Sequence, residues 1–268
     1  EAHEMDEAWQ GERPKAIPMM PEVIDLMTYR NHKQVKQALQ LGQIPMGLDF
    51  KEVEVVAHDS AVNDHLMIYG VDDSIRKQIV SSIISQTNKD CFESVTLVDT
   101  SDYGFIQYKE SVSHYIVVEN DVNTHLKHWM ETIRERSNEL SQARQEGREV
   151  PAFTKQLIII ANVEEFNRLV YIEDTAAATL IDLSRAVGIY FILAGHHEYM
   201  DRNRDALPMK MRSKLTTAII AMPLNDQSIF SIKYVSNEPA LGKDEVYYYV
   251  KGSITKLKMP RVTNEVTV

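Results

Sequence analysis

The feature that most constrains this chain is a rhythm of short, continuously apolar runs alternating with longer stretches of helical spacing. The runs fall at 65–69, 94–98, 114–118, 156–161 and 190–194. Each has the length of a strand, and apart from 94–98, which Ser94 and Thr96 interrupt, they run continuously rather than alternating as a half-solvated strand would. Between them, Ile75, Ile79, Val80, Ile83 and Ile84 recur at helical spacing and define one apolar face. Residues 121–147, 163–171 and 174–187 also read as helices. Apolar strands separated by helices predict an α/β domain with a mainly parallel central sheet covered on both faces.

The two ends of the chain depart from this rhythm. Residues 1–22 are acidic, then interrupted by Pro14, Pro18 and Pro21, and read as a linker ahead of one domain over 23–268. Residues 23–41 suit one or two short helices. The stretch 44–56 reads as a strand in its latter half, marked by Val53, Val55 and Val56. At the other end, 216–222, 229–234, 245–250 and 253–257 predict strands that finish in a C-terminal β-hairpin. Tyr247, Tyr248 and Tyr249 fall in that hairpin, where successive side chains point to opposite faces, so they read as packing rather than a base-stacking platform.

Composition narrows the function classes. The net charge is −10, from 39 acidic and 29 basic residues, which opposes a broad nucleic-acid surface. No stretch approaches the roughly 20 apolar residues of a membrane span. The single cysteine, Cys91, excludes an internal disulfide. The acidic opening has neither a start methionine nor a signal-like region and reads as part of a longer polypeptide. The mixed charges of 131–149 suit a solvated helix face.

The turn after the first apolar run carries most of the functional argument. A phosphate-binding P-loop joins a buried strand to a helix through a glycine-rich turn whose amides cradle phosphate. A lysine then adds charge, and a Ser or Thr hydroxyl ligates magnesium. Here the frame is present, and the turn reads Gly70, Val71, Asp72, Asp73, Ser74, Ile75, Arg76, Lys77. Gly70 holds the first glycine position, but Ile75 stands at the second, where a β-branched residue resists close approach. Arg76 replaces the lysine with a wider planar cation. Lys77 replaces the metal-binding hydroxyl and would repel magnesium. Asp72 and Asp73 add negative charge beside the phosphate position, which leaves Arg76 as the expected contact for any residual phosphate.

The partner motif is altered too. In P-loop ATPases a later apolar strand ends in acidic residues that hold magnesium and orient water. The matching strand runs into Ala161 and Asn162. Glu164 and Glu165 follow, in a position where acids favour a helix start regardless of catalysis. His196, His197 and Glu198 end the 190–194 run; adjacent residues seldom converge on one ion, so they read as a polar loop. The residues therefore nominate no catalytic group and no metal site.

The stretch from Ile17-Pro-Met-Met-Pro-Glu22 through Ile44-Pro-Met-Gly-Leu-Asp-Phe50, followed by strand, altered loop and helix, resembles an FtsK/SpoIIIE-type ATPase module. More narrowly it is similar to the last ATPase module of the EssC/EccC membrane ATPases of type VII secretion. The segment from Gly188 to Gly195 and the run Leu241-Gly-Lys-Asp-Glu-Val-Tyr-Tyr248 fit the same pattern. The resemblance implies a P-loop NTPase fold of the RecA/FtsK kind, on the cytoplasmic face of a membrane-anchored, multi-module protein. It implies neighbouring ATPase modules and secreted WXG-type proteins or their carriers as partners, no nucleic acid, and an oligomer formed through the full-length protein as an open possibility. With the departures above, it implies weak ATP binding, no magnesium, and a role in substrate recognition and regulation. The alternative is a working ATPase with atypical motifs. The 12 methionines suit either an adaptable recognition groove or plain core filling, and Met27, Met46 and Met200, in or beside turn-rich segments, are the first candidates for groove contacts.

Overall fold

A computed structural model describes residues 19–100 and 103–262. The linker prolines Pro14 and Pro18 lie outside the described residues. Ten strands form one sheet: β1 (Ile44–Asp49), β2 (Val55–His58), β3 (Leu66–Gly70), β4 (Ser94–Val98), β5 (His114–Ile116), β6 (Gln156–Ile160), β7 (Ile189–His196), β8 (Thr217–Ala221), β9 (Glu245–Val250) and β10 (Ser253–Lys258). The helices are α1 (Leu26–Asn31), α2 (Lys33–Gln40), α3 (Ser60–Asn63), α4 (Asp73–Gln86), α5 (Glu119–Gln145), α6 (Val163–Leu169), α7 (Asp174–Ala178), α8 (His197–Arg202) and α9 (Ala206–Lys214).

The strand order is β2-β1-β10-β9-β8-β3-β7-β6-β4-β5. From β8 to β5 every neighbouring pair is parallel. From β8 to β2 every pair is antiparallel. The predicted C-terminal hairpin is β9–β10, and it lies inside the sheet because β1 pairs with β10. That interior position buries Tyr247 and Tyr248 more completely than a terminal hairpin would.

Continuous apolar strands arise because each strand feeds two cores. In β3, Met67 and Tyr69 face a core shared with α5, α6 and α9, while Leu66 and Ile68 face one shared with α4. The period-2 pleat sends neighbours to opposite faces, and both faces are covered. The α4 residues Ile79, Val80, Ile83 and Ile84 fill the second core as their spacing predicts, and Ile75 packs at its edge.

Three expectations need correction. The strand expected in the latter half of 44–56 starts only at Val55, and the stretch holds an earlier strand as well. The two are joined by a turn in which the Asp49 carboxylate accepts from the amides of Lys51, Glu52 and Glu54 at 2.7–2.9 Å. Val53 lies in that turn at φ 57°. Residues 229–234 form no strand. Both edges of β8 are taken by β3 and β9, so this segment packs by side chains instead, with Phe230 stacked on Tyr249 at 4.1 Å. Met46 and Met200 are core residues, 0% and 1% exposed, and only Met27 of the three expected contacts reaches the surface. Met200 is held inward by close packing against Gly195.

Candidate functional site

The altered loop lies where an α/β sheet normally receives a ligand, at the carboxyl end of β3. It is short. β3 ends at Gly70, Val71 follows, and Asp72 already caps α4, which begins at Asp73. The Asp72 carboxylate accepts from the amides of Ser74 at 2.7 Å and Ile75 at 3.2 Å, and from the Ser74 hydroxyl at 2.7 Å. Hydrogen bonding from Ser74 and then Ile75 holds its pKa below the usual carboxylate value. A built-in anion thus occupies amides at the helix start, the groups that a P-loop offers to phosphate.

Arg76 points inward rather than toward solvent. It is 7% exposed, donates from Nη1 to the Gly70 carbonyl at 2.6 Å, and pairs through Nη2 with Asp73. Burial pulls its pKa down while Asp72 and Glu164 oppose that shift; the guanidinium stays charged. The residue expected to meet phosphate instead ties the end of β3 to the first turn of α4. Ile75 is partly buried and Lys77 is exposed on the outer flank of the helix.

Gly70 has a structural reason to be glycine. Its φ is not positive. A Cβ there would lie 2.6 Å from the Ala221 carbonyl oxygen and 2.9 Å from the Ala221 Cβ, so the tight β3–β8 approach excludes a side chain.

β6 stands two strand spacings from β3, roughly 10 Å across the sheet. At its end the Ala161 amide donates to the Val98 carbonyl at 3.0 Å. Asn162 is the N-cap of α6, its Oδ1 accepting from the Glu165 amide at 3.1 Å. Glu165 pairs with Arg168. Between these two strand ends lies the end of β7. There His196 caps α8 through Nδ1, accepting from the Glu198 amide at 3.2 Å. His197 Nε2 accepts from the Ser228 amide at 3.3 Å, and its pKa is lowered by burial. The two histidines serve separate partners, and among the described residues no group of three His, Cys, Asp or Glu could hold a metal.

Asp99 was not among the residues the sequence pattern singled out. It follows β4 directly, is 1% exposed, and accepts at Oδ2 from the Phe105 amide at 2.8 Å and the Tyr115 hydroxyl at 2.6 Å. An acid closing an apolar strand was the available signal. β4 is three strand spacings from β3, roughly 14 Å, too far to share a ligand's phosphates with the loop.

No family model matches the chain. It aligns with the type VII secretion system protein EssC of Staphylococcus aureus (strain MRSA252) at 26% identity over 261 residues, covering 97% of this chain and 17% of that protein. The solved cytoplasmic domain of EssC superimposes with a TM-score of 0.83 at 23% identity, over 97% of this chain and 52% of that one. The chain is a relative of the EssC/EccC ATPases. A second solved structure, Thermomonospora curvata EccC (ATPases 2 and 3) in complex with a signal sequence peptide, matches at TM-score 0.68 and 12% identity, over 96% of this chain and 46% of that one. The fold is therefore that of their P-loop ATPase domains. The chain corresponds to about one-sixth of the length of the curated relatives it matches.

Proposed function

We propose that this chain is an ATPase-fold module of a type VII secretion ATPase whose nucleotide site is closed by its own side chains. In this reading it serves export through recognition and regulation rather than hydrolysis. The observation that carries the reading is the Asp72 carboxylate on the α4 amides. A phosphate would have to displace that carboxylate and would meet its charge.

Three further features support the same reading. Arg76 is committed to Gly70 and Asp73, so it is withdrawn from any phosphate. Lys77 offers no oxygen to magnesium, and the end of β6 presents Ala161 and the capping Asn162 instead of acids. Losing the groups that stabilise transition-state charge typically costs about a hundredfold or more in rate for each group. ATP then binds weakly at this loop and without help from magnesium.

The parent protein in this proposal is anchored in the membrane and carries neighbouring ATPase modules. This module faces the cytoplasm; no helix among the described residues is long and apolar enough to cross a bilayer. Its partners are exported WXG-type proteins or their carriers, in keeping with the signal sequence peptide bound to the EccC relative. Nucleic acid is not a partner.

The test has two arms. Steady-state ATP turnover by this chain with magnesium should stay at background. Co-purification with exported proteins encoded beside the parent protein should retain at least one of them. Turnover abolished by Glu164→Gln would overturn the non-hydrolysing role; failure to retain any exported protein would overturn recognition.

A further inference from the structure

The helix that carries the closed loop has a second polar edge. Ser74, Lys77 and Ser81 sit on one flank of α4 and line an open cavity of about 410 Å³. Its other walls include Lys243, just before β9, Arg261, just after β10, and Gln107 from the connection after β4. Three cations and, among the described residues, no carboxylate line this space, in a chain whose net charge is −10.

The wall is partly fixed in place. Asp244 is buried, and it receives Arg261 Nη2 at 2.5 Å, Arg261 Nε at 3.3 Å and Gln78 Nε2 at 2.6 Å. These contacts hold the guanidinium at the cavity edge and join the segment after β10 to α4. Lys77 and Lys243 are exposed, and neither forms an ion pair with a described acidic residue. Counting Asp244 against Arg261 leaves Lys77 and Lys243 as the cations of the described lining, with the Asp72 carboxylate at its far edge on the Ser74 hydroxyl. Such a concave group of unmatched cations concentrates a positive potential and attracts a multiply charged anion. The size falls within the range of small-molecule sites.

We propose that this cavity is a magnesium-independent site for a polyphosphate anion, displaced from the helix start to the flank of α4. A single carboxylate would satisfy too little of the charge, whereas a triphosphate chain can reach Lys77, Lys243 and Arg261 together. Magnesium would neutralise the charge that the cations attract, and the lining offers no acid to hold it. Added magnesium should therefore weaken binding, the opposite of a working P-loop. The proposal does not depend on the recognition role above, since it concerns a different ligand.

The test is calorimetric titration of this chain with tripolyphosphate, ATP and adenosine in chelator, repeated with excess magnesium. The variants are Lys77→Ala/Lys243→Ala together, and Lys51→Ala as an exposed cation outside the cavity. Both cavity lysines are exposed, so the double variant should melt like the parent. Tripolyphosphate and ATP should bind saturably at one site and adenosine should not. The double variant should weaken binding about tenfold or more, given the worth of one charged hydrogen bond, and Lys51→Ala should leave it unchanged. Absence of saturable tripolyphosphate binding at millimolar concentrations would overturn the proposal. So would binding that survives the double variant or strengthens with magnesium.

Discussion

Acidification from pH 7 to pH 5 should destabilise this domain strongly, through two histidines buried in the neutral form. His65 is 0% exposed; its Nδ1 accepts from the Phe191 amide at 3.1 Å, so the proton sits on Nε2, which donates to the Ser184 hydroxyl at 3.0 Å. Ser184 in turn donates to the Leu180 carbonyl at 2.5 Å. His58, also 0% exposed, lies between the hydroxyls of Tyr248 at 2.9 Å and Ser60 at 3.0 Å. Burial pushes the His65 pKa down to about 3 and that of His58 down to about 4 from an ordinary 6.5. Both folded values are depressed, so the unfolded chain takes up protons first. The contribution of each is fully present above pH 6.5 and declines as pH falls toward the folded value. Below pH 6.5 each histidine removes about 1.4 kcal/mol per pH unit, which reaches about 4 kcal/mol for the pair at pH 5. That is a large part of the roughly 5–15 kcal/mol stability of a typical domain. Urea unfolding followed by fluorescence of the buried Trp129 would measure it at several pH values. His65→Gln should reduce the slope by about 1.4 kcal/mol per pH unit. Stability at pH 5 within about 1 kcal/mol of that at pH 7 would refute the reasoning, as would nuclear magnetic resonance titration of either imidazole near 6.5.

Other consequences of the site geometry can be measured separately. Arg76→Ala should lower stability by about 1.5–3 kcal/mol, the worth of a charged hydrogen bond, and leave tripolyphosphate binding unchanged; urea titration and calorimetry read the two effects. Gly70→Ala should cost about 1–3 kcal/mol because its Cβ meets Ala221, and Ala221→Gly should rescue it only in part, since the carbonyl clash remains. Ala161→Asp restores one acid at the end of β6 but leaves Asp72 on the α4 amides, so a coupled assay should detect no magnesium-dependent ATP turnover.

The parallel half of the sheet was legible because its strands are buried on both faces. Burial on two sides leaves no polar alternation, and runs such as Leu157–Ile160 can be little else once helices separate them. α4 was legible for a related reason, since its isoleucines fall on one face. The turn at Asp49 was not, because Val53, Val55 and Val56 favour strand, while the amide contacts to the Asp49 carboxylate and carbonyl hold Val53 at positive φ. The segment 229–234 misled because strand propensity cannot reveal that the neighbouring edges are occupied. Met46 and Met200 show a limit of composition: flexible thioethers serve grooves and cores alike. The flank cavity was invisible because Lys77 lies far in sequence from Lys243 and Arg261, which flank the β9–β10 hairpin and are tied to α4 by the contact of Gln78 with Asp244.

Side chains at the β3–α4 turn and at the end of β6 do local structural work. Asp72 caps α4, Arg76 ties Gly70 to the first turn, and Asn162 caps α6. Each satisfies backbone groups that a bound nucleotide, water or metal would otherwise engage. The folded state is thus complete at this site without a ligand, and a ligand stabilises a protein only where it binds the folded form. Magnesium-ATP should therefore raise the melting temperature little through the loop. Any shift from ATP should instead be matched by tripolyphosphate, shrink when magnesium is added, and vanish in the Lys77→Ala/Lys243→Ala variant. A large shift that requires magnesium and survives that variant would mean that the Asp72 cap opens. The loop would then be a latent nucleotide site rather than a closed one.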